Sequence, residues 1–205
     1  MAQSLKQSFD RLYQMDALQR TLVVWLAFQL ILWLTFGIGY LLNQDAWIDV
    51  PAVPPSSAAE GGWLGTLLYI VISNSIVLAL IVGGNLFVRF GPVTPGMLVL
   101  LVQAVSIGWL AGTNGFEVPF TSVALANAQF LRVGLWETTA YAVGCALTLP
   151  KSLLIADGLF AREWTEQRKL KDLRFSSSEK GLALVIALTL IGAALVETIY
   201  LTCST

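Results

Sequence analysis

The sequence predicts an all-α, polytopic integral membrane protein with five transmembrane helices, its N-terminus inside and its C-terminus outside. Three observations predict it: a composition too apolar for water, five long runs nearly free of charge, and a one-sided distribution of Lys and Arg. Of the 205 residues 56% are hydrophobic and 12% charged, against roughly 25% charged in soluble domains. Mean hydropathy is +0.72. So few charged side chains cannot cover that much apolar surface, which makes lipid the solvent for much of the chain.

A hydrocarbon core of about 30 Å takes about 20 helical residues. Runs of that length extend from Thr21 to Asn43, Trp63 to Val88, Val93 to Ala111, Gln129 to Pro150 and Gly181 to Leu201. The first three carry no charge, the fourth carries Glu137 and the fifth Glu197. An uncharged piece from Val118 to Leu131 is too short to span and suits an interfacial or dipping segment. From Pro119 to Leu149 the apolar pattern is continuous, so a bend or an interfacial half-helix before Arg132 is expected. Little lies between the runs, and the chain reads as one membrane domain covering residues 1–205.

Cytoplasmic loops attract Lys and Arg. Lys6, Arg11 and Arg20 precede the first span, Arg89 follows the second, and seven more lie between Lys151 and Lys180; eleven of the twelve thus fall on one side. Only Arg132 is assigned to the other side, where Asp45, Asp49 and Glu60 surround the stretch from Pro51 to Pro55. No small-residue cleavage site follows the first apolar run, so that run is expected to remain as an anchor. The segment from Lys151 to Lys180 reads as a short solvated helix, with Arg168 and Asp172 as charged neighbours, or as a docking surface for a cytoplasmic partner. It ends in a Ser176-x-x-Glu179 capping box that opens the last span.

Composition also excludes chemistry. There is no histidine, which removes Ser-His-Asp and Cys-His nucleophile systems and His-ligated zinc or haem. No Ser/Lys or paired-Asp constellation stands out, so an enzyme is not expected. Lys plus Arg is 12 against 13 acids, no excess for nucleic acid. No cofactor or metal is assigned. Cys145 and Cys203 fall at opposite faces of the membrane and are not expected to pair.

Ionisable groups within spans are costly and therefore mark candidate sites. Counting about 1.5 Å per residue from the span ends brings Glu137, Glu197, Asn74 and Ser106 to similar depth in the outer half, with Gln103 slightly deeper. Glu137, Tyr141, Gly144 and Thr148 recur at helical spacing and form a polar, small-residue stripe that should face protein. Ala104, Gly108 and Gly112, and the pair Gly83 and Gly84, permit close backbone approach. Arg132 lies about 140° around its helix from Glu137. That favours an ion pair with Glu197 instead, leaving Glu137 to neutral groups such as Asn74; the competing reading has Arg132 snorkelling to headgroups and Glu197 protonated.

The segments Ile72 to Gly84, Phe90 to Pro95, Gly108 to Gly112 and Val133 to Glu137 together resemble the stage II sporulation protein M family of bacterial and archaeal membrane proteins. In that family an Asn opens an Ala-rich span, a Gly precedes the next, and a Pro-His-Gly-x-x-Glu signature starts a later one. Asn74, Gly134 and Glu137 match, over a resemblance covering roughly residues 68–157; Arg132 and Val133 stand where the family has Pro and His, which removes the residue that would support histidine chemistry. The resemblance implies a non-catalytic multi-pass protein acting through other integral membrane proteins, as sporulating members do with partners that localise and activate peptidoglycan hydrolases. A scaffold, accessory or assembly partner in a prokaryotic inner, plasma or thylakoid-type membrane is therefore the leading expectation, with homo-oligomers allowed. A small ion or solute transporter using Glu137 and Glu197 is the alternative.

Overall fold

In the computed structural model the described residues are 9–48, 50, 62–158 and 161–203. Lys6, Asp49, Glu60 and the stretch from Pro51 to Pro55 lie outside them. Helical residues 9–14 (α1) lead into α2 (Ala17–Leu42), which is followed by α3 (Gly62–Phe87), α4 (Pro95–Gly112), α5 (Val123–Gln129), α6 (Leu135–Thr148) and α7 (Ser177–Cys203). Asp16 starts α2 by accepting from the amides of Leu18 and Gln19, and Thr94 starts α4 ahead of a proline at its first position, both standard solutions for unpaired amides at a helix start.

α2, α3, α4 and α7 are each long and apolar enough to cross a membrane. Their outward residues are apolar too: Leu18 is 69% exposed, Leu41 67% and Leu188 62%, which only lipid or a partner helix would cover. The fourth apolar run folds differently from a single α-helix. α5 passes through a π turn, Phe130–Gly134, into α6, so the bend expected before Arg132 is a local widening of the helix. α6 is the axis of the bundle. From Ala140 to Leu149 every residue is buried, against α2, α3, α4 and α7.

The tightest helix pair is α2 on α4. Leu100, Ala104, Gly108 and Gly112 form the buried face of α4 at four-residue spacing. A Cβ on Gly108 would stand 2.3 Å from the Leu32 carbonyl oxygen, and one on Gly112 2.3 Å from that of Phe36. Between α3 and α4 the same role falls to Gly84 and Gly96, whereas Gly83 meets nothing within 4 Å. Lipid tails are as apolar as leucine, so such close approach replaces the hydrophobic drive that holds soluble bundles.

The chain is not wholly helical. Three short strands, β1 (Val88–Phe90), β2 (Leu154–Ala156) and β3 (Thr165–Glu166), form a sheet in that order, β1 parallel to β2 and β2 antiparallel to β3. The solvated helix expected between Lys151 and Lys180 is thereby replaced by strands and 3-10 turns. The cause is local: α3 ends with free backbone groups, Leu153 donates to the Leu86 carbonyl at 2.7 Å, and Trp164 lays its ring edge-on to Phe87 and Phe90. Arg168 donates to the Pro150 carbonyl at 3.2 Å, leaving Asp172 without the expected partner. These segments, with residues 9–20 and 88–94, make one end of the bundle, the basic end. At the other end Asn114, in the left-handed region at φ 51°, donates to the carbonyls of Ala46 and Phe120 and accepts from the Phe120 amide, while Trp47 donates to Gly112.

Helix contact through glycine gives a direct check. Gly108→Ala should lower stability in detergent by about 1–3 kcal/mol, because its Cβ meets a backbone oxygen that cannot move alone. Gly37→Ala, with nothing within 4 Å, should cost nothing. Thermal unfolding of the two variants in one detergent compares them.

Candidate functional site

The non-basic half of the bundle contains a polar cluster between α3, α6 and α7. The Asn74 amide donates to a Glu137 carboxylate oxygen, and the Tyr141 hydroxyl donates to the Asn74 carbonyl oxygen. One asparagine therefore satisfies a carboxylate and a phenol on adjacent turns of α6, with its donor turned to one and its acceptor to the other. Glu197 enters the same region from α7. Both carboxylates line a cavity of about 240 Å³, with Asn127, Gln129 and Thr138 among the polar residues and Leu32, Trp33, Phe36 and Phe130 on its apolar wall. The π turn borders this cavity through Phe130, Val133 and Gly134. π turns of this kind are frequent at functional sites.

Not every candidate residue joins the cluster. Ser106 is exposed and Gln103 half-buried on α4, whose buried face is the Ala104 and Gly108 row. Neither side chain makes a hydrogen bond to any described residue. The expected ion pair between Arg132 and Glu197 is not formed. Arg132 is exposed and holds its guanidinium over the Tyr200 ring, 4.8 Å from the centroid. Tyr200 lies on the next helix, and its face attracts a cation without the desolvation that a buried carboxylate would impose.

Two further ties join α2 to α6. Trp25 donates to the Thr139 hydroxyl at 2.9 Å, and Gln29 to that of Thr138 at 3.4 Å. Near the basic end, Asn85 is fully buried on α3. Its amide donates to the Cys145 carbonyl and the Thr148 hydroxyl, both at 3.0 Å, its side-chain oxygen accepts from Thr94, and its backbone oxygen accepts from Ser152 at 2.7 Å. Beyond it Glu179 takes Lys151 at 3.0 Å and approaches Arg20 at 4.0 Å. Arg20 also donates to the carbonyls of Ala146 at 2.6 Å and Met15 at 2.8 Å, and Lys151 to that of Arg174 at 2.9 Å. Glu179 closes the capping box read from the sequence: its carboxylate accepts from the Ser176 amide at 2.8 Å while the Ser176 hydroxyl accepts from the Glu179 amide at 3.3 Å.

Asn85 and the three-charge group were not singled out by sequence reasoning. An amide inside an uncharged run was the available signal for Asn85. For Arg20 and Lys151 there was none, because each reads alone as a solvated charge at a span end, and Glu179 reads as a capping residue without its two cations.

Among the described residues no group of three or more Cys, Asp or Glu side chains converges as a metal site. Chemically, the cavity offers two carboxylates, the amides of Asn127 and Gln129 and the Thr138 hydroxyl in an apolar surround, a set suited to hydrogen bonding and proton exchange. No family model, curated protein or solved structure matches this chain.

Glu179→Gln should destabilise the protein by about 3 kcal/mol, since it strands two cations that are largely shielded from water. Lys151→Met should partly offset that loss in the double variant. Unfolding midpoints of the four members of the cycle give the coupling.

Proposed function

We propose that this chain is a five-pass, non-catalytic membrane protein that serves as scaffold, accessory or assembly partner of a larger membrane complex, acting through other integral membrane proteins as the resemblance to the stage II sporulation protein M family implies. The fifth pass is the composite of α5, the π turn and α6. In the proposed orientation the basic end is cytoplasmic and the other end faces outward, in a prokaryotic inner, plasma or thylakoid-type membrane.

The observation that carries the scaffold reading is how the interior is closed. The Asn74 level and the Asn85 level are separated on α3 by Leu78 and the fully buried Ile81, and Leu78 fills the space over Gly144, where an added Cβ would meet it at 2.4 Å. Polar groups at both levels bond to one another across helices, which is how a bundle is held together in lipid. A path for solutes would instead keep polar groups open along its length.

One observation favours the second reading, a small ion or solute transporter: Glu137 and Glu197 line one cavity. The readings separate on reconstitution. Purified protein in vesicles should show no solute or proton flux above empty vesicles, and mild-detergent extracts should carry other integral membrane proteins with it. Substantial flux that is lost in Glu137→Gln would replace the scaffold reading with the transporter.

The orientation has its own check, in a Cys203→Ser background. Glu117→Cys, exposed at the non-basic end, should react with a membrane-impermeant thiol reagent on intact cells. Lys169→Cys, exposed at the basic end, should react only after lysis. The reverse pattern would invert the proposed topology.

A further inference from the structure

At the basic end Arg89, Leu149, Pro150, Ser152, Ile155, Gln167 and Arg168 line a small, half-open cavity of about 140 Å³. Two guanidinium groups line it and no carboxylate does. Glu179 is engaged by Lys151 and Arg20, and neither Arg89 nor Arg168 forms an ion pair with any described residue. Like charges brought to one cavity repel, and without a counter-charge the arrangement is costly.

Both arginines are held in place by contacts that leave donors over. Arg89 lies with its guanidinium 4.4 Å from the centroid of the Tyr13 ring. Tyr13 is fixed in turn by donating to the Pro92 carbonyl at 3.1 Å, and burial holds its hydroxyl well above the ordinary tyrosine range, so it stays neutral beside the cation. The Nε of Arg89 is buried and has no acceptor. Arg168 spends one donor on Pro150, and a guanidinium has five. Gln167 is fixed through its backbone, which donates to Leu153 at 2.8 Å, and its side-chain amide makes no hydrogen bond to any described residue.

We propose that Arg89 and Arg168, with the Gln167 amide, bind a phosphate group at the basic end of the bundle. Paired guanidinium forks match the geometry of phosphate oxygens. A drug-sized ligand requires about 300 Å³ or more, so this cavity takes inorganic phosphate or the exposed phosphate of a lipid headgroup, not a whole nucleotide. The site lies beside the ends of α3 and α6, where α6 gives way to the sheet, so an occupant would tie β1 to the β3 segment.

The test uses the full chain in a neutral detergent, with unfolding followed by tryptophan fluorescence and two probes: inorganic phosphate against chloride at equal ionic strength, and phosphatidic acid against phosphate-free diacylglycerol in the micelle. A rise in Tm with inorganic phosphate identifies a soluble source; a rise with phosphatidic acid alone identifies a lipid headgroup. In either case Arg168→Gln and Arg89→Gln should each weaken the half-saturating concentration by about tenfold or more, while Arg132→Gln, at the far end, keeps the full response. Arg89→Lys preserves the cation on Tyr13 and guards against a folding defect; it should retain the fold and lose most of the response. If wild type and the Arg89→Gln, Arg168→Gln double variant respond alike to both probes, or wild type responds to neither, the site does not exist.

Discussion

One amide holds the basic half of this molecule together. Asn85 sits where no water reaches, and in hydrocarbon an unpaired amide costs several kcal/mol, so the surrounding chain has to supply every partner it needs. It does so from three places, the Cys145 carbonyl and Thr148 on α6 and Thr94 at the start of α4, while Ser152, on the way to β2, donates to the backbone oxygen of the same residue. Gly96 makes this geometry attainable, since a Cβ there would stand 2.3 Å from the Asn85 side-chain oxygen. Helix spacing and the turn before α4 are thus consequences of satisfying a single side chain, and the path of the chain after α6 is tied to the backbone of the same residue.

The two ends of the bundle solve different problems. At the basic end, charges are drawn into the protein and wrapped by carbonyls: Arg20 by Ala146 and Met15, Lys151 by Arg174. Structure there is built from many chain segments, and it includes the sheet. At the other end, neutral amides do the joining, with Asn114 stitching the loop after α4 to the turn after α2. The carboxylates of Glu137 and Glu197 lie within the bundle near that end, beside the helix whose geometry departs from α.

Much of the fold was legible because lipid imposes length. Runs of about 20 apolar residues locate α2, α3, α4 and α7 to within a few residues, and the small-residue spacing of Ala104, Gly108 and Gly112 identifies the face of α4 that meets α2. The link from Asn74 to Glu137 followed from counting depth along α3 and α6, which enter the bundle from the same end. What could not be read depended on contacts between distant segments. β1 and β2 are three residues each and pair across more than sixty positions, so neither carries a periodic signal of its own. Ser106 misled because depth fixes a level and not a direction around the helix. Arg132 misled for a related reason: charge complementarity pointed to Glu197, but Tyr200, one turn from Glu197 at a span end, offers its ring face at lower desolvation cost.

The π turn at Phe130–Gly134 makes the angular setting of α6 a matter of integer arithmetic. A π turn is an α-helix holding one residue more than its hydrogen-bond spacing requires, and each residue of an α-helix advances the side chains by about 100°. Everything on α6 below the turn is therefore rotated by about that angle relative to an unbroken continuation of α5. Glu137, Tyr141 and Cys145 share one face, so they would all turn together, away from Asn74 and Asn85 at once. The polar registers at both levels are thus keyed to the residue count of a five-residue segment, and chain length there is a quantity as specific as any side chain.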